Sequence, residues 1–578
     1  MGKSAASSKI SKAVAAAGVL QAKLVSCEES LLQTLVTNGL WAEATMDLAI
    51  EMTLKGLRQV DECLDAMERA KGGFVEDSFW NEGGGEEAAE AEEATKLKGL
   101  QAFLREHSEE GVCDAWELRK LDEASGKGRG VYACKDLELH ETVFKVPSAV
   151  MLSVFHGRAL DLRGADGESG PTGAVWDAHI NSVLTSVQDN DVVSLALVLL
   201  HHAVSKEASY FWPFINSLPR EYDIPTFWPS SIFSMIRDDK TACKAKLNVR
   251  ATAMLFMRCR RSMQGVTESM REAGVTACND SSPWLAAGGK ALSWKYFRWA
   301  MATVTTRQNY IPVRDLTLPV ERQARALTLV PGWDMMNHAS GEMTTDFDIE
   351  TASIVFKTMA GVASGEEISM CYGTRCNDQL LIYSGFVAEG NKDDTISFDV
   401  SFTADSTLPC KMRKGVYKML TSVQLPDAAE SAETSLSIPV ALAPPTSSEG
   451  VRCVKVLGEA TLSALIAGSV QKSEVAMVLR AEQKDAGSIY EALGADTKTA
   501  IWKSLAATLT DSDIMHTSAL QVGAKTQPSR ESKALTASTL PTELQRRWSA
   551  AAHSIEILNK GHAAIKSFFL EHCSSEHA

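Results

Sequence analysis

Apolar residues recur three and four positions apart along residues 28–72, along residues 176–305 and through much of the chain after residue 400. This spacing places apolar side chains on one helix face, so these stretches are predicted to be helical. The first stretch, residues 28–72, is predicted to form a helical hairpin. The second contains the longest apolar run, Leu195–Leu200, which predicts a buried helix capped by Asp191.

The helix predicted near residues 292–307 ends in polar residues. Its apolar positions are Trp294, Phe297, Met301 and Val304. Ser293 is placed to cap its start, and Pro312 stops helical geometry beyond its end. The residues left at the C-terminal end are Arg307, Gln308 and Asn309. Capping of unpaired carbonyls by Arg307 is one explanation for them, and a functional site is the other.

Two regions change to strand-like alternation. The first precedes residue 150, where the apolar strand positions are Val131, Ala133, Val143 and Val146, and the second spans residues 326–400. Helical patterns lie between and after these regions. The sequence therefore predicts an α+β fold.

Composition divides the first 390 residues into three parts. Residues 1–80 are predicted to be a helical N-terminal extension. Residues 81–95 lie in the glycine-rich acidic run “NEGGGEEAAEAEEATKLKGL” and are predicted to be a linker, because such a run buries little surface. Residues 96–390 are predicted to be the main domain, with a helical insertion at about 150–305.

The remaining residues, 391–578, are predicted to form a helical C-terminal domain. Its helical segments include “KMRKGVYKML”, “LGEATLSALIAG” and “TELQRRWSAAAHSIEILNKGHAAIKSFFL”. A Pro- and Ser-rich stretch near residues 438–450 predicts a loop within it.

Charge and cysteine usage exclude several classes of protein. The formal net charge of -15 and the pI near 5.4 argue against a nucleic-acid binder or an anionic-membrane binder, since both partners reward basic patches. The twelve cysteines are scattered without a CxxC pair, which predicts neither a disulfide framework nor a zinc site. A reducing compartment is expected, with the cytoplasm preferred over the nucleus or an organelle. Residues 1–27 lack acids, as transit peptides do, but also lack arginine, which favours a mobile basic tail.

Two short segments carry weak chemical signals. In “GKGRGVY”, Gly128 and Gly130 flank Arg129 and let the backbone approach a ligand, although a tight hairpin also explains them. In “SGEEISMCYG”, Tyr372 ends a predicted strand, where its hydroxyl can donate a hydrogen bond or its ring can simply pack.

A third segment, “LTLVPGWDMMNHASGEM”, places several polar side chains directly after an apolar strand. Asp334, Asn337 and His338 follow Trp333 within six residues, which suggests a site. A polar turn stabilised by Asn337 is the alternative. One histidine and one aspartate supply too few ligands for a metal.

In chain order, the three segments resemble the signatures of the SET-domain protein methyltransferases. Those signatures are Gly128–Gly130, Asn337–His338, Gly365–Glu367 and Tyr372–Gly373. The resemblance covers about residues 96–390, and the helical insertion matches the subgroup typified by the Rubisco large-subunit methyltransferase. It implies a SET-domain β-fold with a helical insertion, followed by an all-helical substrate-binding domain.

The resemblance also implies S-adenosylmethionine as methyl donor, without a metal. The residues implied on the cofactor side are Gly128, Arg129, Gly130, Arg307, Asp334, Asn337, His338 and Tyr372, with Ser384 and Phe386 closing over them. Tyr372 is also implied to be catalytic, with its hydroxyl held beside the transferred methyl group.

Within that subgroup, segments such as “RWAMATVTTRQNYIP” resemble the actin-histidine N-methyltransferases. Lysine-directed members usually carry an aromatic residue where this chain has Asn309. The resemblance implies actin or an actin-like protein as substrate of a monomeric enzyme, with Asn309 orienting the imidazole and Trp333 packing against it. Two positions depart from the pattern: Gly332 replaces a larger apolar residue, and Cys371 replaces an aromatic one.

Two alternatives remain open. A lysine methyltransferase of the same fold is the nearer one. The other is a scaffold of this fold that binds proteins without catalysis, through the N-terminal helices.

Overall fold

A computed structural model describes residues 2–70, 86–108, 112–120, 128–154, 183–187, 189–272, 292–313, 322, 324–403, 410–421, 435–442, 459–480, 485–507, 509 and 542–575. The chain divides into two compact units. Unit 1 comprises Met1–Ser230, Ala245–Gly373 and Tyr383–Gly385, and unit 2 comprises Ser231–Lys244, Thr374–Ile382 and Phe386–Ala578. The domain boundaries drawn from composition stay predictions.

Helices dominate the chain up to residue 307. They are α1 (Gly2–Val36), α2 (Met46–Ala70), α3 (Glu86–His107), α4 (Asp191–Ser205), α5 (Trp212–Ser217), α6 (Ser230–Phe233), α7 (Asp239–Glu272) and α8 (Trp294–Arg307). Helices α1 and α2 pack against each other, which confirms the predicted hairpin. Their buried positions include Leu31, Leu35, Leu57 and Val60.

The described residues of unit 1 also form three small antiparallel sheets. Its strands are β1 (Trp116–Lys120), β2 (Arg129–Ala133), β3 (Thr142–Pro147), β4 (Leu152–Ser153), β5 (Asn309–Pro312), β6 (Arg325–Leu329), β7 (Thr345–Asp348), β8 (Ser353–Lys357) and β9 (Glu367–Ile368). They pair in the orders β1-β2-β9, β4-β6-β5 and β3-β8-β7. Strands and helices in one unit confirm the predicted α+β class.

The structure corrects the predicted linker. Helix α3 begins at Glu86, so residues 86–95 are helical, whereas residues 81–85 lie outside the described part of the chain. Alanine and glutamate are strong helix formers, and glutamates in the first turn interact favourably with the helix dipole. The acidic run therefore starts a helix.

After residue 373 the chain forms α9 (Asn377–Ser384), β10 (Ile396–Thr403), α10 (Cys410–Thr421), β11 (Ser435–Leu442), α11 (Glu459–Ser469), α12 (Lys472–Arg480), α13 (Ala486–Ala492), a helix over residues 495–507 and α14 (Thr542–Ser575). Unit 2 buries its own core, which includes Leu465, Trp502 and Phe569.

The prediction that residues 391–578 are all helical is wrong at one place. Strands β10 and β11 form an antiparallel pair in which Asp399 lies opposite Pro439. Apolar residues alternate in both strands, and a proline is tolerated in a strand that has a free edge. Residues 438–442 of the predicted loop therefore belong to β11, and residues 443–450 lie outside the described residues.

Candidate active site

Helix α8 positions the polar residues at its C-terminal end. Ser293 caps its start by accepting the Tyr296 N–H at 3.5 Å, as predicted. Asp61 of α2 accepts the N–H groups of Trp294 at 2.7 Å and Lys295 at 3.0 Å. The predicted apolar positions Trp294, Phe297, Met301 and Val304 are all buried. The helix is therefore held both by its cap and by its apolar face.

The chain leaves α8 at Gln308, whose N–H donates to the Val304 carbonyl at 2.8 Å. Arg307 does not cap this end. Its Nη1 donates instead to the Asp334 carbonyl at 2.7 Å and lies 3.4 Å from Asp334 Oδ2. Asn309 then starts β5, opposite Thr328 of β6. The segment “LTLVPGWDMMNHASGEM” is thereby tied to the end of α8.

Several buried polar atoms of this pair lack hydrogen bonds. Among the described residues, neither Asp334 carboxylate oxygen nor Arg307 Nε has a hydrogen-bond partner, and Gln308 Oε1 also lacks one. Burial raises the pKa of Asp334 to about 6, although the neighbouring Arg307 opposes this change. Buried charged atoms without partners are costly, so these atoms are suited to a polar ligand.

Asn337 connects the segments “GKGRGVY” and “SGEEISMCYG”. Its Nδ2 donates to the Arg129 carbonyl at 2.8 Å and to Glu367 Oε1 at 2.7 Å, and its carbonyl accepts the Met370 N–H at 2.9 Å. A Cβ added to Gly130 would lie 3.0 Å from Glu367 Oε1 and 3.4 Å from Asn337 Nδ2. Glycine is needed there because the amide and the carboxylate occupy that space.

His338 and Tyr372 form a second connection. His338 Nδ1 accepts the Tyr372 N–H at 3.2 Å, and the two ring centroids lie 5.2 Å apart. The Tyr372 hydroxyl donates to the Met336 carbonyl at 2.8 Å. Because its proton is used there, the phenolic oxygen can act only as an acceptor toward any further group.

Asn309 is half-buried, whereas Trp333 is buried. Asn309 Nδ2 donates to the Arg307 carbonyl at 3.3 Å, which leaves its amide oxygen without a hydrogen bond to any described residue. Trp333 is only 5% exposed, and its indole N–H donates to Thr345 Oγ1 at 3.3 Å. The amide oxygen of Asn309 is therefore an available acceptor.

Arg129 brings in residues that the sequence did not single out. Its side chain pairs with Glu93 of α3 and donates to the Ser217 carbonyl at 2.7 Å. Burial lowers its pKa, Glu93 opposes this, and Arg307 is close enough to lower it further. Glu93 was hidden in the acidic run, where no pattern distinguishes it from its neighbours.

Two predicted residues lie apart from these bonds. Ser384 has no hydrogen bond, ion pair or ring contact with the other predicted site residues in the described part of the chain. It precedes Gly385, where φ is +82° and a Cβ would lie 3.3 Å from the Asp223 backbone. Phe386 belongs to unit 2.

The described residues contain no group of three or more His, Cys, Asp or Glu side chains placed to hold a metal ion. None of the helices searched within them combines the length and apolarity needed to cross a membrane. The chemistry available is that of a buried Arg–Asp pair, a fixed phenol and an available amide.

Comparison with known proteins identifies several similar proteins, although no family model matches the chain. The actin-histidine N-methyltransferase of Gallus gallus is 24% identical over 301 residues, which are 51% of this chain and 43% of that protein. The Homo sapiens protein of the same name is 25% identical over 288 residues, or 49% of this chain and 41% of that protein. The chain thus matches less than half the length of these relatives.

Two solved structures were also matched. The SET domain of LSMT bound to lysine and AdoHcy gives a TM-score of 0.48 at 13% identity, covering 84% of this chain and 92% of that chain. Rubisco LSMT bound to AdoMet gives 0.47 at 14% identity, covering 83% and 92%. Because both TM-scores are below 0.5, the comparison rests on sequence similarity instead. Sequence similarity over about half of the chain confirms its resemblance to the SET-domain protein methyltransferases.

Proposed function

We propose that this protein is an S-adenosylmethionine-dependent protein N-methyltransferase that methylates a histidine side chain. The observation that carries the proposal is the available amide oxygen of Asn309, beside the buried Arg307–Asp334 pair in the unit that contains Tyr372. Similarity to the actin-histidine N-methyltransferases supports it.

The buried atoms without partners fit S-adenosylmethionine. Its amino-acid end carries an ammonium and a carboxylate, which match the Asp334 oxygens and the Arg307 guanidinium respectively. The backbone around Gly130, where a side chain would not fit, and the neighbouring Asn337 and His338 would complete the site. When bound, the sulfonium supplies a methyl group with a good leaving group.

The protein then needs to orient the two reactants and exclude water. The Met336 carbonyl fixes the Tyr372 hydroxyl, so that its oxygen lone pairs can face the reacting centre. Asn309 can accept the N–H of a neutral imidazole, which leaves the other ring nitrogen free to attack.

Lysine is the second candidate nucleophile, because the same fold serves both. A lysine arrives as an ammonium with a pKa of about 10.4 and must lose a proton first, whereas an imidazole with a pKa of about 6.5 is mostly neutral at pH 7. An amide acceptor suits the imidazole, and this favours histidine.

Actin or an actin-like protein is the proposed substrate, after the names of the similar proteins. A monomer in the cytoplasm, with the C-terminal region binding the substrate, completes the proposal. Ser384 is proposed to close over the cofactor.

The test has two steps on the full chain. Calorimetry should first show binding of S-adenosylhomocysteine, and absence of binding would favour a non-catalytic scaffold. Methylation is then compared on an actin-derived peptide containing the target histidine and on the same peptide with lysine in its place. Preference for the histidine peptide is expected, and preference for the lysine peptide would overturn the histidine assignment.

A further inference from the structure

Tyr222 is a neighbour of Arg307 in the Arg307–Asp334 pair. It precedes Asp223 in the segment “LPREYDIP”, between α5 and α6. Its hydroxyl lies 2.8 Å from Thr303 Oγ1, one helical turn before Arg307 in α8. The phenol therefore reaches the helix that carries the site.

The direction of these bonds follows from the donors present. The Thr303 hydroxyl donates its only proton to the Trp299 carbonyl at 2.9 Å. Thr303 Oγ1 must then accept from Tyr222, so the phenol donates its own proton to Thr303. The phenolic oxygen is left with lone pairs only.

The Tyr222 phenol has two cationic neighbours. The Tyr222 hydroxyl also interacts with the Arg307 guanidinium, which has donors and no acceptor, and Arg129 is a second neighbouring cation. Burial raises the pKa of Tyr222 although both arginines oppose this, which keeps it a neutral phenol that can still donate to Thr303. A directed chain of hydrogen bonds thus runs from Tyr222 through Thr303 to the Trp299 carbonyl, and Arg307 lies on the same face of α8, four residues after Thr303.

We propose that Tyr222 is a positioning residue that fixes the guanidinium plane of Arg307 for an anionic ligand group. Asp334 holds the guanidinium from one side, through Nη1, and Tyr222 supplies a second anchor. Two anchors define the orientation of a planar group, whereas one allows rotation. This role rests on the proposed cofactor site, because it serves the carboxylate of the amino-acid end.

The experiment compares ligands with and without that carboxylate. Binding of S-adenosylhomocysteine and of 5′-methylthioadenosine, which lacks the amino-acid end, is measured by calorimetry for the wild type and for Tyr222→Phe. Loss of the phenol oxygen should weaken S-adenosylhomocysteine about tenfold, a typical effect of one hydrogen bond to a charged group. Binding of 5′-methylthioadenosine should change less than about twofold.

Two further variants support the comparison. Thr303→Val removes the acceptor while keeping the shape, and it should weaken S-adenosylhomocysteine in the same selective way. Tyr210→Phe is the matched control, since its hydroxyl bonds to His107 Nε2 at 2.9 Å outside the site. It should leave both affinities unchanged.

An equal loss for both ligands, or no loss for either, would overturn the role of Tyr222. A wild type that binds neither ligand would instead count against the proposed function. In that case, ligand-free crystal structures of the wild type and Tyr222→Phe still test whether Tyr222 orients Arg307. The guanidinium of Arg307 should be rotated or disordered in the variant, and an unchanged Arg307 would contradict the proposal.

Discussion

In the proposed function, the side chain at position 309 decides which nucleophile fits the site. An Asn309→Phe variant loses the amide oxygen that can accept an imidazole N–H, so its preference should shift toward lysine. The ratio of kcat/KM for the histidine and lysine peptides should fall by about tenfold or more, the value of one hydrogen bond that orients the nucleophile. Tyr310→Phe, at the exposed neighbouring position, is the control. Unchanged preference in Asn309→Phe would contradict the assignment.

Asp334 gives ligand binding a dependence on pH. Burial raises its pKa from 3.8 to about 6, so the carboxylate that can pair with a ligand ammonium is present above pH 6 and is lost as the pH falls through that value. Affinity for S-adenosylhomocysteine should therefore weaken below about pH 6. Asp334→Asn should bind weakly and without this step. The step should survive in Asp61→Asn, whose carboxyl also has a pKa of about 6 but lies at the other end of α8.

Gly332 shows how a departure from the actin-directed pattern is accommodated. It is the centre of a tight turn in which the Trp333 N–H donates to the Pro331 carbonyl at 2.9 Å, with φ at +75°. A Cβ added there would overlap Leu104 Cδ1 of α3. The space that a larger residue would fill is therefore occupied by Leu104.

Gly332→Ala should lower the free energy of unfolding by about 2 kcal/mol or more, from backbone strain and overpacking. Leu104→Ala should itself destabilise, because Leu104 is buried. The two changes should be less than additive by at least about 0.5 kcal/mol, since the second removes the overlap. Urea denaturation of both single variants and the double variant measures this, and strict additivity would show that Leu104 does not limit the space.

At the scale of elements, α8 is held at its start by a different helix. Asp61 of α2 bonds two of its first N–H groups and also lies near the buried Arg298. Asp61→Ala should lower the free energy of unfolding at pH 7 by about 2 kcal/mol, from the lost cap and the uncompensated cation. Glu62→Gln, at the exposed next position, should change stability by less than about 0.5 kcal/mol.

The pH dependence of this contact has a definite sign. Burial raises the pKa of Asp61 from 3.8 to about 6. The two backbone bonds and Arg298 oppose this change, and the nearby Asp65 adds to it. The folded state thus prefers the protonated form, so the contribution of this group is most favourable below about pH 4 and falls as the pH rises through 6. Between pH 4 and 7, the thermal unfolding temperature of Asp61→Asn should therefore lack the decrease that Asp61 causes in the wild type. A slope identical to that of the wild type would contradict the shift.

Local signals explain which elements could be predicted. Ser293 and the spacing of Trp294, Phe297, Met301 and Val304 predicted α8, because a cap and one apolar face act within a few residues. The Asp61 contact spans more than 230 residues, and no local pattern indicates it. The strand β11 was missed because its proline and serines suggested a loop, while its partner β10 lies in a distant part of the chain.

In the candidate site, too, local motifs predicted some residues, whereas others depend on contacts between distant parts of the chain. The ordered motifs predicted Asn337, His338 and Tyr372, and the structure shows which atoms they bond. Glu93 and Tyr222 could not be predicted, because each matters only through a partner brought near by folding. A single sequence gives no signal for such pairs.

At the scale of the molecule, the N-terminal helices belong to the same compact unit as the candidate site. Glu28 of α1 pairs with Arg260 of α7 at 2.6 Å, and both side chains are buried. Arg260 Nη1 also donates to the Leu292 carbonyl at 2.8 Å, directly before the cap of α8. The N-terminal region is thus built into unit 1, which weighs against an independent scaffold module.

We propose that this chain transfers a methyl group to a histidine of actin or of an actin-like protein. The most direct test incubates the purified full chain with S-adenosylmethionine and unmethylated actin and maps the product by tandem mass spectrometry, with Tyr372→Phe alongside. The account predicts a methyl group on a histidine ring nitrogen with the wild type and none above background with the variant. Methylation confined to lysine, or no methylated actin from a wild type that binds S-adenosylhomocysteine, would contradict it.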